Sequence, residues 1–151
     1  MEKTGERLRA LREKAGLLPE GLADQIGITG NWFEDLESNE GELEETLDLD
    51  QIRKLALLLN VGMAQLLTGA PVPPGMAPMS FKDLARHVRR QLENESGLES
   101  LEEKTGWDLG AFLKRPDTEG WGQRIQFYKD VCGALGVDWI GILAYGETLP
   151  E

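Results

Sequence analysis

Residues 17–37 read LLPEGLADQIGITGNWFEDLE, and this stretch decides the fold of the first half of the chain. Pro19 suits the first turn of a helix, where its missing N–H group has no hydrogen bond to make. The helical pattern that follows stops at Gly27, a residue type that commonly ends helices. Thr29 can then cap a second helix, because its hydroxyl accepts a hydrogen bond from a free N–H of the first turn. The stretch therefore predicts two short helices joined by a tight turn.

Helical spacing of apolar residues continues on both sides of this stretch. Upstream, residues 6–14 place leucines on one side and arginines on the other, and Gly16 ends that helix. Downstream, the polar and acidic residues 38–45 predict a loop. Residues 50–59 give the strongest helical pattern of the chain, and residues 62–67 give a short closing helix. Residues 1–68 are therefore expected to form one small domain of five helices.

A proline-rich segment separates this domain from the second half. Residues 68–80 hold Pro71, Pro73, Pro74 and Pro78, and proline stiffens an extended chain while removing backbone donors. We therefore predict a linker at residues 69–80 and a second helical domain at residues 81–146. Its helices are expected at 81–94, 98–104, 109–115, 125–135 and 137–143, with Ser80 as the cap of the first.

The second half resembles the first in the order of its helices. Residues 55–67, LALLLNVGMAQLL, align with residues 131–143, VCGALGVDWIGIL, and both turns stay in register. Gly27-Ile28-Thr29 aligns with Gly106-Trp107-Asp108, and Phe33 aligns with Phe112. This pattern indicates an internal duplication, although two helical domains of similar length can also resemble each other by chance. A duplicated chain would be a pseudo-dimer in one polypeptide.

The charge of the chain is negative and unevenly distributed. The formal net charge is −11, from 27 acidic and 16 basic residues, which is the wrong sign for a protein that neutralises many phosphates. No lysine or arginine occurs between Leu18 and Asp50. The basic residues of the first half lie at its two ends: Arg7, Arg9, Arg12, Lys14, Arg53 and Lys54.

Several classes of protein are excluded by what the sequence lacks. No apolar run approaches the roughly 18 residues that cross a bilayer, and the first residues do not resemble a signal peptide. The single cysteine, Cys132, cannot form a disulfide framework and is expected to be buried. His87 is the only histidine, so we expect no metal site. No phosphate loop or nucleophile motif is present, so we expect no cofactor and no enzymatic activity, and we expect a cytoplasmic, bacterial protein.

The first half resembles the lambda-repressor-like, or XRE/Cro-type, helix-turn-helix family. The resemblance follows residues 5–41, GERLRALREKAGLLPEGLADQIGITGNWFEDLESNEG, and residues 52–67, IRKLALLLNVGMAQLL. Its most specific parts are the first helix with Leu8 and Leu11, the Leu22-Ala23 pair, and the turn at Gly27. Glu37 falls on the acidic position that ends the third helix in this family. The resemblance implies an all-α fold of two small five-helix helix-turn-helix-like domains in tandem.

The same resemblance implies a DNA-binding regulator of transcription. In this family the third helix lies in the major groove, and its early residues contact base edges. Carried onto this chain, the DNA-binding residues would be Thr29, Asn31 and Trp32, with Arg7 and Arg12 as phosphate contacts. The chain departs from the family where Leu18-Pro19-Glu20 replaces the glutamine that often opens the second helix. A homodimer is also compatible with the resemblance.

The acidic residues around the third helix favour a second hypothesis. Glu34 and Asp35 would face DNA phosphates without a compensating arginine, which opposes binding at every DNA sequence. The chain could instead be a protein-interaction module that keeps the fold and binds a basic protein partner. The residues expected at that interface are Trp32, Glu34, Asp35, Glu42, Glu44 and Glu45. A solvated acidic loop that only keeps the protein soluble is the plainer alternative.

The second half suggests two further interpretations. Arg86, Arg89 and Arg90 lie on neighbouring turns of one helix, where they could hold phosphates or lie scattered on the surface. We expect them instead to pair with the acidic first half. Trp107, Trp121 and Trp139 are expected to fill the core of the second half, and a small-molecule sensor is the alternative that they leave open.

Overall fold

The computed structural model describes residues 3–94 and 97–149, and the regular elements within those residues are helical, which confirms the all-α class. The first half holds α1 (Thr4–Lys14), α2 (Pro19–Ile26), α3 (Gly30–Ser38), α4 (Glu42–Thr46), α5 (Leu49–Leu59) and α6 (Met63–Thr68). The second half holds α7 (Phe81–Asn94), α8 (Leu98–Thr105), α9 (Gly110–Lys114), α10 (Pro116–Glu119), α11 (Ile125–Leu135) and α12 (Ile140–Thr148). A 3₁₀ turn at Gly120–Gly122 connects α10 to α11.

The helix-turn-helix stretch folds as its residues predict. Pro19 occupies the first turn of α2, and Gly27 ends that helix in the left-handed conformation with φ of 79°. The Thr29 hydroxyl then accepts a hydrogen bond from the Trp32 backbone N–H at 3.1 Å and caps α3. The predicted cap of α7 is also confirmed, because Ser80 Oγ accepts a hydrogen bond from the Asp83 N–H at 3.1 Å.

Two helices lie where none was predicted, so the expectation of five helices in each half is wrong. In the first half, α4 occupies the second half of the segment that was expected to be a loop. Gly41, at φ of 83°, lets the chain turn, and Leu43 and Leu47 then pack into the core. In the second half, Pro116 begins α10, directly after the predicted helix at 109–115. Both helices are only four or five residues long, which is too short for stability in isolation. Helix α4 buries Leu43, whereas α10 has no buried residue and lies against α7 and α9.

The buried apolar side chains form one continuous core that runs through both halves. In the first half this core is mainly aliphatic, with Phe33 as its one fully buried aromatic ring among the described residues. In the second half it is aromatic: Phe112, Phe127 and Tyr128 contact one another edge to face, and Phe81 stacks on Tyr128. Phe33 and Phe112, which align with each other in the sequence, are both buried in this core.

The two halves meet through contacts between corresponding positions. Asp48, just before α5, forms an isolated antiparallel bridge with Arg124, just before α11. The Leu49 N–H donates to the Gln123 carbonyl at 3.0 Å, and the Ile125 N–H donates to the Leu47 carbonyl at 3.4 Å.

The helix contacts across this junction repeat the same correspondence. Helix α4 packs on α11, the 3₁₀ turn packs on α5, and α6 packs on α12. In the sequence alignment of the halves, α4 corresponds to the 3₁₀ turn and α5 to α11, so these contacts are reciprocal in the way that two-fold symmetry would require.

The segment 69–80 forms no regular element, as predicted for the linker. Its last part is nevertheless fixed to the second half, because the Met79 N–H donates to the Gly141 carbonyl at 2.8 Å. Among the described residues, no helix has the length and apolar character needed to cross a bilayer.

Candidate interaction surface of the helix-turn-helix unit

The outer side of α3 carries polar and acidic residues. Asn31, Glu34 and Asp35 are all exposed, and their spacing places them on one side of the helix. Phe33 and Leu36 point to the opposite side and are fully buried. Glu20 of α2 lies beside the beginning of α3, since its Cγ is 3.6 Å from the position that a Cβ would take on Gly30. We call Glu20, Asn31, Glu34 and Asp35 the α3 face.

Thr29 and Trp32 lie at the edge of the α3 face, and both make hydrogen bonds within the first half. The Trp32 indole N–H donates to Thr46 Oγ1 at 3.0 Å, and the Thr46 hydroxyl donates to the Glu42 carbonyl at 2.8 Å. Trp32 is half-buried and contacts α4 through its hydrogen bond to Thr46.

Arg12 is bound to the end of α3. Its Nε donates to Glu37 Oε2 at 2.6 Å, its Nη2 donates to Glu37 Oε1 at 3.1 Å, and its Nη1 donates to the Leu17 carbonyl at 3.0 Å. Arg9 reaches the same carboxylate, with Nε 3.3 Å from Glu37 Oε1. The hydrogen bond to Glu37 raises the pKa of Arg12 above its already high value. Because Glu37 is only 7% exposed, this pair belongs to the interior of the first half.

Arg7 is also held within the fold. It is 9% exposed, and its Nη1 donates to the Leu66 carbonyl near the end of α6 at 3.0 Å. Its guanidinium lies beside Gly69, where an added Cβ would be 3.1 Å from Nε. Both predicted phosphate contacts, Arg7 and Arg12, thus have partners inside the protein. Sequence reasoning missed these roles because the partners of Arg7 lie far away along the chain.

The acidic residues of α4 differ in how much of each side chain reaches the surface. Glu45 is exposed and Glu42 is half-buried, so both remain accessible to a partner. Glu44 is only 9% exposed, and its Oε1 is buried without a hydrogen-bond partner. The helical turn of α4 directs Leu43 and Glu44 inward together, so Glu44 is not part of the accessible surface.

Two of the three arginines of α7 have partners within the second half, and among the described residues none of the three pairs with the first half. Arg86 pairs with Asp83 on the same helix, with Nη1 3.1 Å from Oδ1, and Arg89 donates to the Leu113 carbonyl of α9. The expected pairing of these arginines with the acidic first half is therefore wrong. The acidic surface of the first half and the basic helix α7 do not neutralise each other through these contacts.

The tryptophans of the second half are half-buried and mostly pack on its core. Trp107 lies edge-on to Phe127, and its indole N–H donates to Asp130 Oδ2 at 2.9 Å. Trp121 lies edge-on to Phe81 and receives the Arg53 guanidinium over its ring at 5.3 Å. These contacts match the expected packing role, and Trp121 also joins the two halves.

Cys132 is fully buried in α11, as the sequence predicted. Burial raises the pKa of its thiol to about 12, with a smaller contribution from the charge of Asp138. Within residues 3–94 and 97–149, no group of three or more histidine, cysteine, aspartate or glutamate residues is arranged to hold a metal ion.

Comparisons of the chain with family models, with curated proteins and with solved structures find no match.

Proposed function

We propose that this protein is an interaction module that binds a basic protein partner through the α3 face. One observation carries this proposal: the three arginines of α1, Arg7, Arg9 and Arg12, are engaged by Glu37 or by the backbone of α6. The exposed groups of the α3 face are the Asn31 amide and the carboxylates of Glu20, Glu34 and Asp35. A surface of this kind complements a cationic partner and repels phosphates.

The surroundings of the α3 face add an apolar contact. Leu18, two residues before Glu20, is 72% exposed at the beginning of α2. An exposed apolar side chain beside charged groups is typical of protein interfaces, where the apolar contact contributes affinity and the charges contribute specificity. The partner we propose therefore presents lysine or arginine side chains around an apolar group.

A charge-neutral double variant of the α3 face tests the proposal. We expect wild-type protein to bind a short lysine- and arginine-rich peptide containing leucine, and Glu34→Gln with Asp35→Asn to weaken that binding about tenfold. The matched control is Glu99→Gln with Glu103→Gln on α8, two exposed carboxylates of the other half. Binding is measured by fluorescence anisotropy of the labelled peptide at about 20 mM salt, where screening is weak. Equal losses in both variants would show attraction to net charge alone and would refute the α3 face as the site.

A DNA-binding transcriptional regulator of the XRE/Cro type is the second candidate. The observation that favours it is the geometry of α2 and α3, in which Thr29 caps α3 and the Asn31 amide is exposed next to that cap. Asparagine is a residue that pairs with adenine in the major groove. The reciprocal contacts between the halves support a pseudo-dimer, in which α9 would be the counterpart of α3. Duplex binding at about 20 mM salt that is lost in Asn31→Ala but not in Asn60→Ala would favour this function over the first.

A further inference from the structure

A small cavity lies between the end of the linker and α7, away from the α3 face. It has a volume of about 250 Å³. Ala77, Pro78 and Met79 form one wall, and α7 forms the other. The side chains that α7 contributes are Asp83, Arg86, His87 and Arg90.

The linker wall of this cavity is fixed in place. The Met79 N–H donates to the Gly141 carbonyl of α12 at 2.8 Å. Gly141 permits this close approach, because a Cβ at that position would lie 3.1 Å from Met79 Cβ. Met79 itself is buried against the core. The linker wall of the cavity is therefore in place before any ligand binds, so binding does not require this segment to become ordered.

The one carboxylate in the cavity already has its partners. Asp83 Oδ2 accepts a hydrogen bond from the Ser80 backbone N–H at 3.1 Å, and Oδ1 pairs with Arg86 at 3.1 Å. The hydrogen bond from the Ser80 backbone lowers the pKa of Asp83, so this carboxylate stays ionised and keeps Arg86 in position. Asp83 thereby offsets the charge of Arg86 and leaves the Arg90 charge uncompensated.

Arg90 and His87 are the groups in the cavity that lack partners. In the described part of the chain, neither side chain has a hydrogen bond or an ion pair, while both line the cavity beside Arg86. The spacing of Arg86 and Arg90 places their guanidinium groups on the same side of α7. Two N–H groups of one guanidinium can donate to two oxygens of the same phosphate group, and an imidazole adds a further donor.

We propose that this cavity binds a phosphate group through Arg86, His87 and Arg90. The cavity is small for a drug-sized ligand, but a single phosphate group fits it. The corresponding helix of the first half offers no such site, because Glu37 binds Arg9 and Arg12 of α1 and the Leu66 carbonyl binds Arg7. This inference does not depend on the α3 face or on its partner.

Titration of the full chain with inorganic phosphate tests the proposal. We expect amide resonances of residues 77–90 to shift in ¹H–¹⁵N correlation spectra, and Arg90→Ala to weaken binding at least about tenfold. Arg89→Ala is the matched control, because Arg89 is the neighbouring arginine and donates to the Leu113 carbonyl instead of lining the cavity. That variant should change affinity by less than about twofold. Circular dichroism checks that both variants fold.

Absence of phosphate binding, or equal losses in the two variants, would overturn the proposal.

A second titration, with a mixed-sequence DNA duplex, identifies the source of the phosphate. Shifts of the same resonances at lower concentration than with inorganic phosphate, lost in Arg90→Ala, would assign the site to nucleic acid. Phosphate binding without such duplex shifts would assign it to a free phosphate or a small phosphate ester. Duplex binding that is reduced alike by Arg89→Ala and Arg90→Ala, with no phosphate site, would also overturn the proposal.

Discussion

Glu37 is a single residue that changes the distribution of charge around α3. Its carboxylate binds both Arg12 and Arg9, and it is almost completely buried. The sequence marked Glu37 as the acidic position that ends α3 in the resembling family, and it marked Arg12 as a phosphate contact. These two assignments were not connected, because pairing of residues on different helices depends on how the helices pack. The pairing commits both cations to Glu37, and within the described residues the exposed carboxylates of Glu34 and Asp35 have no ion pair.

Cys132 allows a prediction at the same scale. Its thiol is fully buried and its pKa is raised from 9.0 to about 12, so at neutral pH the thiolate is about a thousandfold rarer than for an exposed thiol. Because a raised pKa keeps the thiol protonated, and only the thiolate attacks, we expect labelling of the folded protein to be at least that much slower than after unfolding. The measurement is the rate of reaction with a chromogenic disulfide reagent at pH 8, with and without urea. Fast labelling in native buffer would contradict the burial of this residue.

Helix α4 forms in a segment whose composition predicts a loop. Residues 38–45 are acidic and contain Asn39 and Gly41, a composition typical of a loop. In the structure, Leu43 and Leu47 are buried in the core, and the helix forms because this packing stabilises it. Its formation gives Trp32 a hydrogen-bond partner in Thr46 and carries Glu44 inward.

A substitution in α4 tests this account of its packing. A buried carboxylate oxygen without a partner destabilises a fold, so Glu44→Leu should raise the free energy of unfolding by about 1 kcal/mol or more. Glu45→Leu, at the exposed neighbouring position, should change it by less than about 0.5 kcal/mol. Urea denaturation followed by circular dichroism measures both values. A loss of stability in Glu44→Leu would mean that Glu44 makes a favourable interaction.

At the scale of the whole molecule, the halves share a core across a reciprocal junction. Asp48 forms a backbone β-bridge with Arg124, and Glu147 of α12 accepts a hydrogen bond from the Ala64 N–H at the beginning of α6, at 3.2 Å. Trp121 of the second half lies under Arg53 of the first. These contacts join the halves into one folded unit, in addition to the covalent linker.

Cleavage of the linker tests whether the halves hold together without it. We expect a chain with a protease site inserted at exposed Gly75 to stay associated after cutting and to elute from gel filtration as one species. The reason is that the core spans both halves, and its burial stabilises their association. The uncut chain with the same insertion is the control. Two separate, folded species after cleavage would instead show that residues 1–68 and 81–146 are independent domains.

The sequence by itself determined the local structure of this protein. The positions of Pro19, Gly27 and Thr29 predict α2, its end and the beginning of α3, because each acts through its own backbone or its near neighbours. Apolar spacing predicted α5 and α11 to within a residue or two. The tertiary structure alone decided the rest: the helix α4, the binding of Arg7 and Arg12 within the fold, and the cavity beside α7. Each of these depends on residues far apart along the chain, whose proximity results from packing and is not encoded in any local pattern.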